Sequence, residues 1–284
     1  MDISYLSIII FVIITVVYYA VPSLGKLPIT LEILQTNDLA GYYKKNISRL
    51  GLYFLLVVFS QFGLNSLYLI NKCGGNSGTN IGAAAFLTFI PWTLIFGALM
   101  AILVIYPGLK TAFSDVVGYF VVAGKANEIL SSILVDTQVD ESINNSVDMD
   151  GFQKETMKKS AEAILKLCGN KSILINQFSP ENFLSIWDML IPLMKPKEDN
   201  PDLETKQAQL LSLVVLKDNV GEGLWYFYTA VLLSSIISFN LTSRGCKKTV
   251  DQLKASHDEY LEQEDAAQKQ KELNDSTTFV VTGQ

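Results

Sequence analysis

The chain has 284 residues, 49% of them hydrophobic and 18% charged, with a formal net charge of −6 and a mean hydropathy of +0.29. Its acidic pI, near 4.9, lacks the basic surface that phosphate backbones require, so nucleic acid is not an expected partner. A single histidine, His257, set in a charged tail, leaves His-dependent triads and most zinc sites without their key residue.

The apolar residues are clustered rather than spread. Ile3–Val21, Leu50–Ile70, Phe86–Tyr106 and Leu224–Leu241 each run 18 to 21 residues without Asp, Glu, Lys or Arg. Each is long enough as helix to cross a hydrocarbon core of about 30 Å, and four in one chain predict an all-α, multi-spanning helical membrane protein.

The first run has no basic stretch ahead of it and exceeds the apolar core of a signal peptide, which predicts a retained span. A polar connection follows from Ser23 to Arg49, with a short helix starting near Thr30 and four basic residues, Lys26, Lys44, Lys45 and Arg49. The second span holds Gln61 and Asn65 four residues apart on one face, candidates for polar contacts inside the bilayer. The glycine-rich loop Asn71–Gly82 lacks the Gly-Lys-Ser/Thr ending of a phosphate cradle and reads as a hinge. In the third span, Pro91 predicts a kink or a helix start, Trp92 an interfacial aromatic, and Gly97 with Ala101 a close helix approach.

Pro107-Gly108 ends that span. Residues 109–124 are too polar at Lys110, Ser114 and Asp115 to continue it, yet carry Phe113, Val116, Val117, Phe120 and Val121 at helical spacing, which predicts a helix at the membrane interface. The membrane region thus occupies residues 1–125. A small helical extramembrane domain is expected over 126–223, from helices near Ala126–Val135, Phe152–Cys168, Ser179–Leu193 and Pro201–Val215. The last of these is expected to be cut off from the fourth span by Gly221-Glu222-Gly223. Ser179-Pro180-Glu181 has the form of a helix start. Residues 242–284 form a charged tail, with seven acids against three lysines between Asp251 and Glu272, and too few apolar residues for a coiled-coil seam.

Cys73, Cys168 and Cys246 are far apart and odd in number, so they read as unpaired small residues. Asp148 and Asp150 lack the companions of a metal loop, and no metal, cofactor or small-molecule substrate is expected. Asn46, Asn144, Asn170, Asn240 and Asn274 each begin an N-x-S/T triplet, whose use depends on topology. Four spans put both termini on one side. The basic loop favours the opposite side as cytoplasmic, while Arg244, Lys247 and Lys248 pull the other way; termini outside or lumenal is the preferred arrangement.

Two blocks carry a resemblance. Pro91, Trp92, Phe96, Gly97, Pro107, Gly108, Phe113, Ser114, Gly118 and Tyr119 form a run similar to one in membrane proteins of the virions of large icosahedral DNA viruses of algae and protists. Leu216 to Cys246 is similar to a second block, with Lys217-Asp218 before the span, Trp225 within it, and Phe239-Asn240 and Gly245-Cys246 after it. Lys110 and Asp115 depart from the pattern, which has a bulky apolar residue and an Asn there. The resemblance implies a structural, non-enzymatic protein of the virion's internal membrane, derived from host endomembrane, with the bilayer and capsid or other membrane proteins as partners. A membrane-protein chaperone or insertion factor using Gln61 and Asn65 as a hydrophilic groove, and a channel subunit, are the alternatives.

Overall fold

A computed structural model describes residues 3–73, 78–134, 171–196, 201–246 and 250–276. The chain is an all-α helical membrane protein, with no strand among the described residues. Four helices are long and apolar enough to cross a bilayer: α1 (Ile3–Ala20), α3 (Leu39–Cys73), α4 (Gly78–Ile105) and α7 (Leu203–Ser243). A short α2 (Leu31–Gln35) precedes α3. The segment 107–133 is α5, α6 is Phe183–Leu190, and the tail forms α8 (Val250–Ser276).

The spans are apolar outside as well as inside. Ile13, Val16, Leu55, Phe59, Leu94 and Phe239 are exposed, a surface that water would penalise and lipid solvates at no cost. Their inner faces meet in a cluster of rings around Phe96, with Phe11 edge-on at 5.8 Å, Trp92 at 5.3 Å and Tyr226 at 5.4 Å between centroids. Trp92 is therefore not an interfacial residue: it is fully buried, because its ring fills the space between α1 and α4. Pro91 lies inside α4, and the wider π turn Trp92–Phe96 follows it, as expected where proline removes a backbone donor. Gly97 faces the Phe54 ring and Ala101 is exposed, so the pair does not form a small-residue helix contact within this chain.

Three expected boundaries move. The helix containing the second span begins at Leu39 and takes in Lys44, Lys45 and Arg49. The helix of the third span begins at Gly78. Most consequentially, Gly221-Glu222-Gly223 is not a linker: α7 runs unbroken for 41 residues, about 60 Å of helix, from the extramembrane region through the fourth span. Glycine lowers helix propensity by only about 1 kcal/mol, and tertiary contacts at this point outweigh it.

At the extramembrane end a second core gathers Val122, Ala126, Leu130 and Ile133 of α5, Phe183, Trp187 and Leu190 of α6, and Leu210, Leu211 and Val214 of α7. Leu34 of α2 joins it, so the connection between the first two spans is part of this packing. Ser179 and Asn182 bond reciprocally ahead of α6: the Asn182 N–H donates to Ser179 Oγ at 3.3 Å and the Ser179 N–H to Asn182 Oδ1 at 2.7 Å. The expected helix Phe152–Cys168, with Cys168, Asp148, Asp150, Asn144 and Asn170, lies outside the described residues.

Residues 109–124 do not lie flat as an interfacial helix. After the break at Tyr106, where φ is −122° and ψ is 73°, the chain turns through Pro107–Lys110 and stands antiparallel along α7. Phe113 stacks on Tyr228 at 5.3 Å, Ser114 touches Gly221, and Gly118 touches Lys217. Val116, Val117, Phe120 and Val121 face outward from this pair. Two glycines permit the crossing. A Cβ on Gly118 would stand 2.6 Å from the Lys217 carbonyl oxygen, and one on Gly221 would stand 2.8 Å from both the Lys110 carbonyl oxygen and the Ser114 nitrogen.

Gly221→Ala should therefore destabilise by about 1–3 kcal/mol through overpacking against backbone that cannot yield. Gly124, with open space at its Cβ position, is the control. Thermal unfolding in detergent should show a clear fall in Tm for Gly221→Ala and no fall for Gly124→Ala.

Candidate functional site: a buried charge cluster at the membrane junction

Charged residues are absent from the interior of the apolar runs but converge where they end. Glu222 sits on α7 one helical turn before Tyr226, and its carboxylate is shared by three separate segments. Oε2 accepts from Lys26 at 3.0 Å, in the connection after α1, and from Lys110 at 2.9 Å, at the start of α5. Oε1 accepts from the hydroxyls of Tyr19 at 3.0 Å and Tyr226 at 3.2 Å. Four donors saturate a group with about four lone-pair sites, which offsets the loss of water on burial.

The pairing extends outward. Lys110 also reaches Asp218 at 3.0 Å, and Lys217 reaches Asp115 at 2.7 Å. Three ammonium groups (Lys26, Lys110, Lys217) thus face three carboxylates (Asp115, Asp218, Glu222), and the cluster is neutral as a whole. Lys217 is only 3% exposed, so its charge is held by its partner rather than by solvent. Burial alone would depress the Lys110 ammonium, but the Glu222 and Asp218 carboxylates outweigh it and hold its pKa above the ordinary lysine value. Lys110 is therefore a fixed cation at physiological pH and not a proton carrier.

Beside the cluster lies a cleft of about 230 Å³ whose walls include Pro107, Gly108, Ser114, Asn176, Lys217 and Asp218. Asn176 Nδ2 donates to the Asp115 carbonyl at 3.1 Å and ties the segment Lys171–Gln177 to α5. Tyr119 and Ser172 hydroxyls meet at 2.8 Å one turn further on. Trp225 donates from Nε1 to the Leu109 carbonyl at 3.0 Å while its ring meets Phe113 edge-on at 5.0 Å. Pro107, Gly108, Phe113, Ser114, Gly118, Tyr119 and Trp225 therefore assemble at one junction, although Trp225 is more than 100 positions away in sequence. Pro91, Trp92, Phe96 and Gly97 belong instead to the bundle. Asn240 is exposed and donates back to the Ile236 carbonyl of its own helix at 2.8 Å.

Gln61 and Asn65 are buried among helices. Ser7 donates from Oγ to Gln61 Oε1, Gln61 Nε2 donates to the Ser7 carbonyl at 3.0 Å, and the Ser7 and Ser234 hydroxyls meet at 2.9 Å. Asn65 Nδ2 donates to Thr88 Oγ1 at 2.8 Å. The gap bordered by Ser7, Gln61, Asn65 and Ser234 has no room for water, so these amides bond helix to helix and do not line a hydrophilic groove. The chaperone alternative thereby loses the feature on which it rested.

Cysteine corrects another expectation. Cys73, at the end of α3, and Cys246, just after α7, form a disulfide across 173 positions with Cα atoms 5.3 Å apart. Lys72 beside it donates to the carbonyls of Leu241 at 3.0 Å, Thr242 at 2.6 Å and Arg244 at 2.9 Å, capping the C-terminus of α7. Asn46 is buried, with Oδ1 accepting from the Leu27 N–H at 3.2 Å, and its triplet is structural in this fold. Among the described residues, no group of three or more His, Cys, Asp or Glu side chains is placed to hold a metal ion.

Sequence reasoning passed over Glu222 because glycines flank it, and treated Lys26 only as a topology signal. The available signal was the run Lys217, Asp218, Glu222 heading an apolar helix, with Lys110 and Asp115 as charges at the other block's junction. Fold and site together define a multi-spanning helical membrane protein whose extramembrane helices are fastened to its spans by buried ion pairs. Comparison of the chain with known protein families, with curated proteins and with solved structures returns no match.

Glu222→Ala should cost about 3–5 kcal/mol, because it leaves buried cations uncompensated. Lys26→Met combined with Glu222→Leu removes one charge of each sign and leaves the Lys110–Asp218 pair intact, so it should recover most of that loss. Thermal unfolding in nanodiscs measures both.

Proposed function

We propose that this chain is a structural protein of a virion's internal membrane, in which four spans anchor a helical domain that meets the capsid shell. The observation that carries the reading is the stiffness of the junction. A helix that passes unbroken from domain to span, clamped to α5 by ion pairs and a glycine-mediated crossing, transmits orientation as well as position. A tethered anchor needs only a flexible linker, whereas a protein that holds a curved bilayer at a set distance and angle from a shell needs a strut. The resemblance of the two sequence blocks supports the same reading, since Pro107, Gly108, Phe113, Ser114, Gly118 and Tyr119 of the first and Lys217, Asp218 and Trp225 of the second meet at this strut.

The domain surface would face the shell proteins, and Lys125, Lys171, Lys195 and Lys206 supply amines for mapping. Cross-linking mass spectrometry on purified particles should recover links between these lysines and capsid proteins, with the chain released only on detergent treatment. Absence of the chain from purified particles would overturn the proposal.

Pro107→Leu with Gly108→Leu should leave membrane insertion intact, since a Cβ at Gly108 meets no neighbour, while straightening the exit from α4 and displacing α5. The expected outcome is a several-fold drop in particle yield at unchanged membrane-bound protein. Normal yield would remove the junction from the mechanism.

A further inference from the structure

The four spans divide the molecule into two ends of different chemistry. One end carries the extramembrane core, the charge cluster and the basic residues Lys26, Lys44, Lys45 and Arg49. The other carries the Cys73–Cys246 disulfide, the capped end of α7 and the acidic helix α8. Basic residues pull both ways: Arg244, beside the disulfide, and the Lys247 and Lys248 that follow it in the sequence oppose the loop at the domain end. Arg49 is moreover engaged in the fold, donating from Nη1 to the carbonyls of Pro22 and, at 3.0 Å, Gly25.

The disulfide breaks this tie. We infer that the Cys73–Cys246 end of the bundle faces an oxidising compartment and that the helical domain faces the reducing cytosol. Thiols on the cytosolic side of a membrane are kept reduced, whereas disulfides form and persist on the lumenal or external side. Formation of the bond releases two protons and two electrons, which pass by thiol–disulfide exchange to the disulfide of an oxidoreductase in that compartment. Cys73 and Cys246 are adjacent because α3 and α7 run the same way through the bilayer and end at the same level. Lys72 holds that level by bonding the last carbonyls of α7.

The orientation assigns partners by side. Cytosolic proteins can reach the domain, the cleft beside Asp218 and the outward-facing Val116, Val117, Phe120 and Val121. Only lumenal or external proteins can reach α8, whose exposed acids include Glu259, Glu262 and Asp265. The inference stands on the disulfide and does not depend on the virion reading.

Two measurements test it on the full chain in sealed microsomes, cytosolic face outward, in a Cys168→Ser background. Gln35→Cys at the domain end should react with a membrane-impermeant maleimide without detergent. Ala267→Cys in α8 should react at least tenfold less until detergent is added. The reverse order of reactivity would overturn the orientation. In parallel, cells quenched in acid and alkylated should yield a Cys73 peptide joined to a Cys246 peptide under non-reducing digestion. Recovery of both cysteines in alkylated form would overturn the disulfide and with it the assignment. Microsomes expressing Cys73→Ser with Cys246→Ser should keep the same labelling order, since the bond reports sidedness and does not create it.

Discussion

The carboxylate of Glu222 is the constraint on which the rest of the junction depends. It lies where α7 enters the apolar layer, and there it must be neutralised and fully hydrogen-bonded or not be present at all. Lys26 brings the end of α1 to it, Lys110 brings the end of α4, and the tyrosines close its remaining lone pairs. Because Lys26 and Lys110 reach it from different segments, satisfying one acid fixes the relative height of three helices. The secondary pairs through Asp218 and Asp115 then orient α5 along α7.

Below that level, the bundle is held by shape and a few polar contacts. In lipid the outer faces contribute no drive toward association, so ring packing around Phe96 and the hydrogen bonds of Gln61 and Asn65 select the neighbours. At the far end the disulfide and the Lys72 cap close the same pair of helices. The α3 and α7 helices are thus tied at the disulfide end, while α1, α5 and α7 are tied at the other. A frame of this kind resists tilting of the extramembrane core relative to the spans.

Lys110 and Asp115 take on meaning only as partners. Each is unfavourable alone beside a membrane. Together with Lys26, Lys217, Asp218 and Glu222 they form a neutral set, so an apolar residue at 110 or an Asn at 115 would suit the same backbone only if the facing charges changed as well.

The spans, the break at Pro107-Gly108 and the exposed character of the tail helix were legible in the sequence, because each follows from local composition: length without charge, a missing donor, an excess of acids. The expected start at Ser179-Pro180-Glu181 instead forms a turn, and α6 begins at Phe183. The continuity of α7 through two glycines was not, since intrinsic propensity argued for a break and distant contacts overruled it. Nor could spacing reveal that Cys73 meets Cys246, that Trp92 turns inward, or that residues 109–124 stand upright along α7, because these depend on which helices become neighbours. The sequence by itself determined that the chain is helical and lives in a membrane, through the free energy of transferring uncharged runs out of water. Only the tertiary structure decided which charges pair and which end carries the disulfide, since pairing requires groups far apart in sequence to come within about 3 Å.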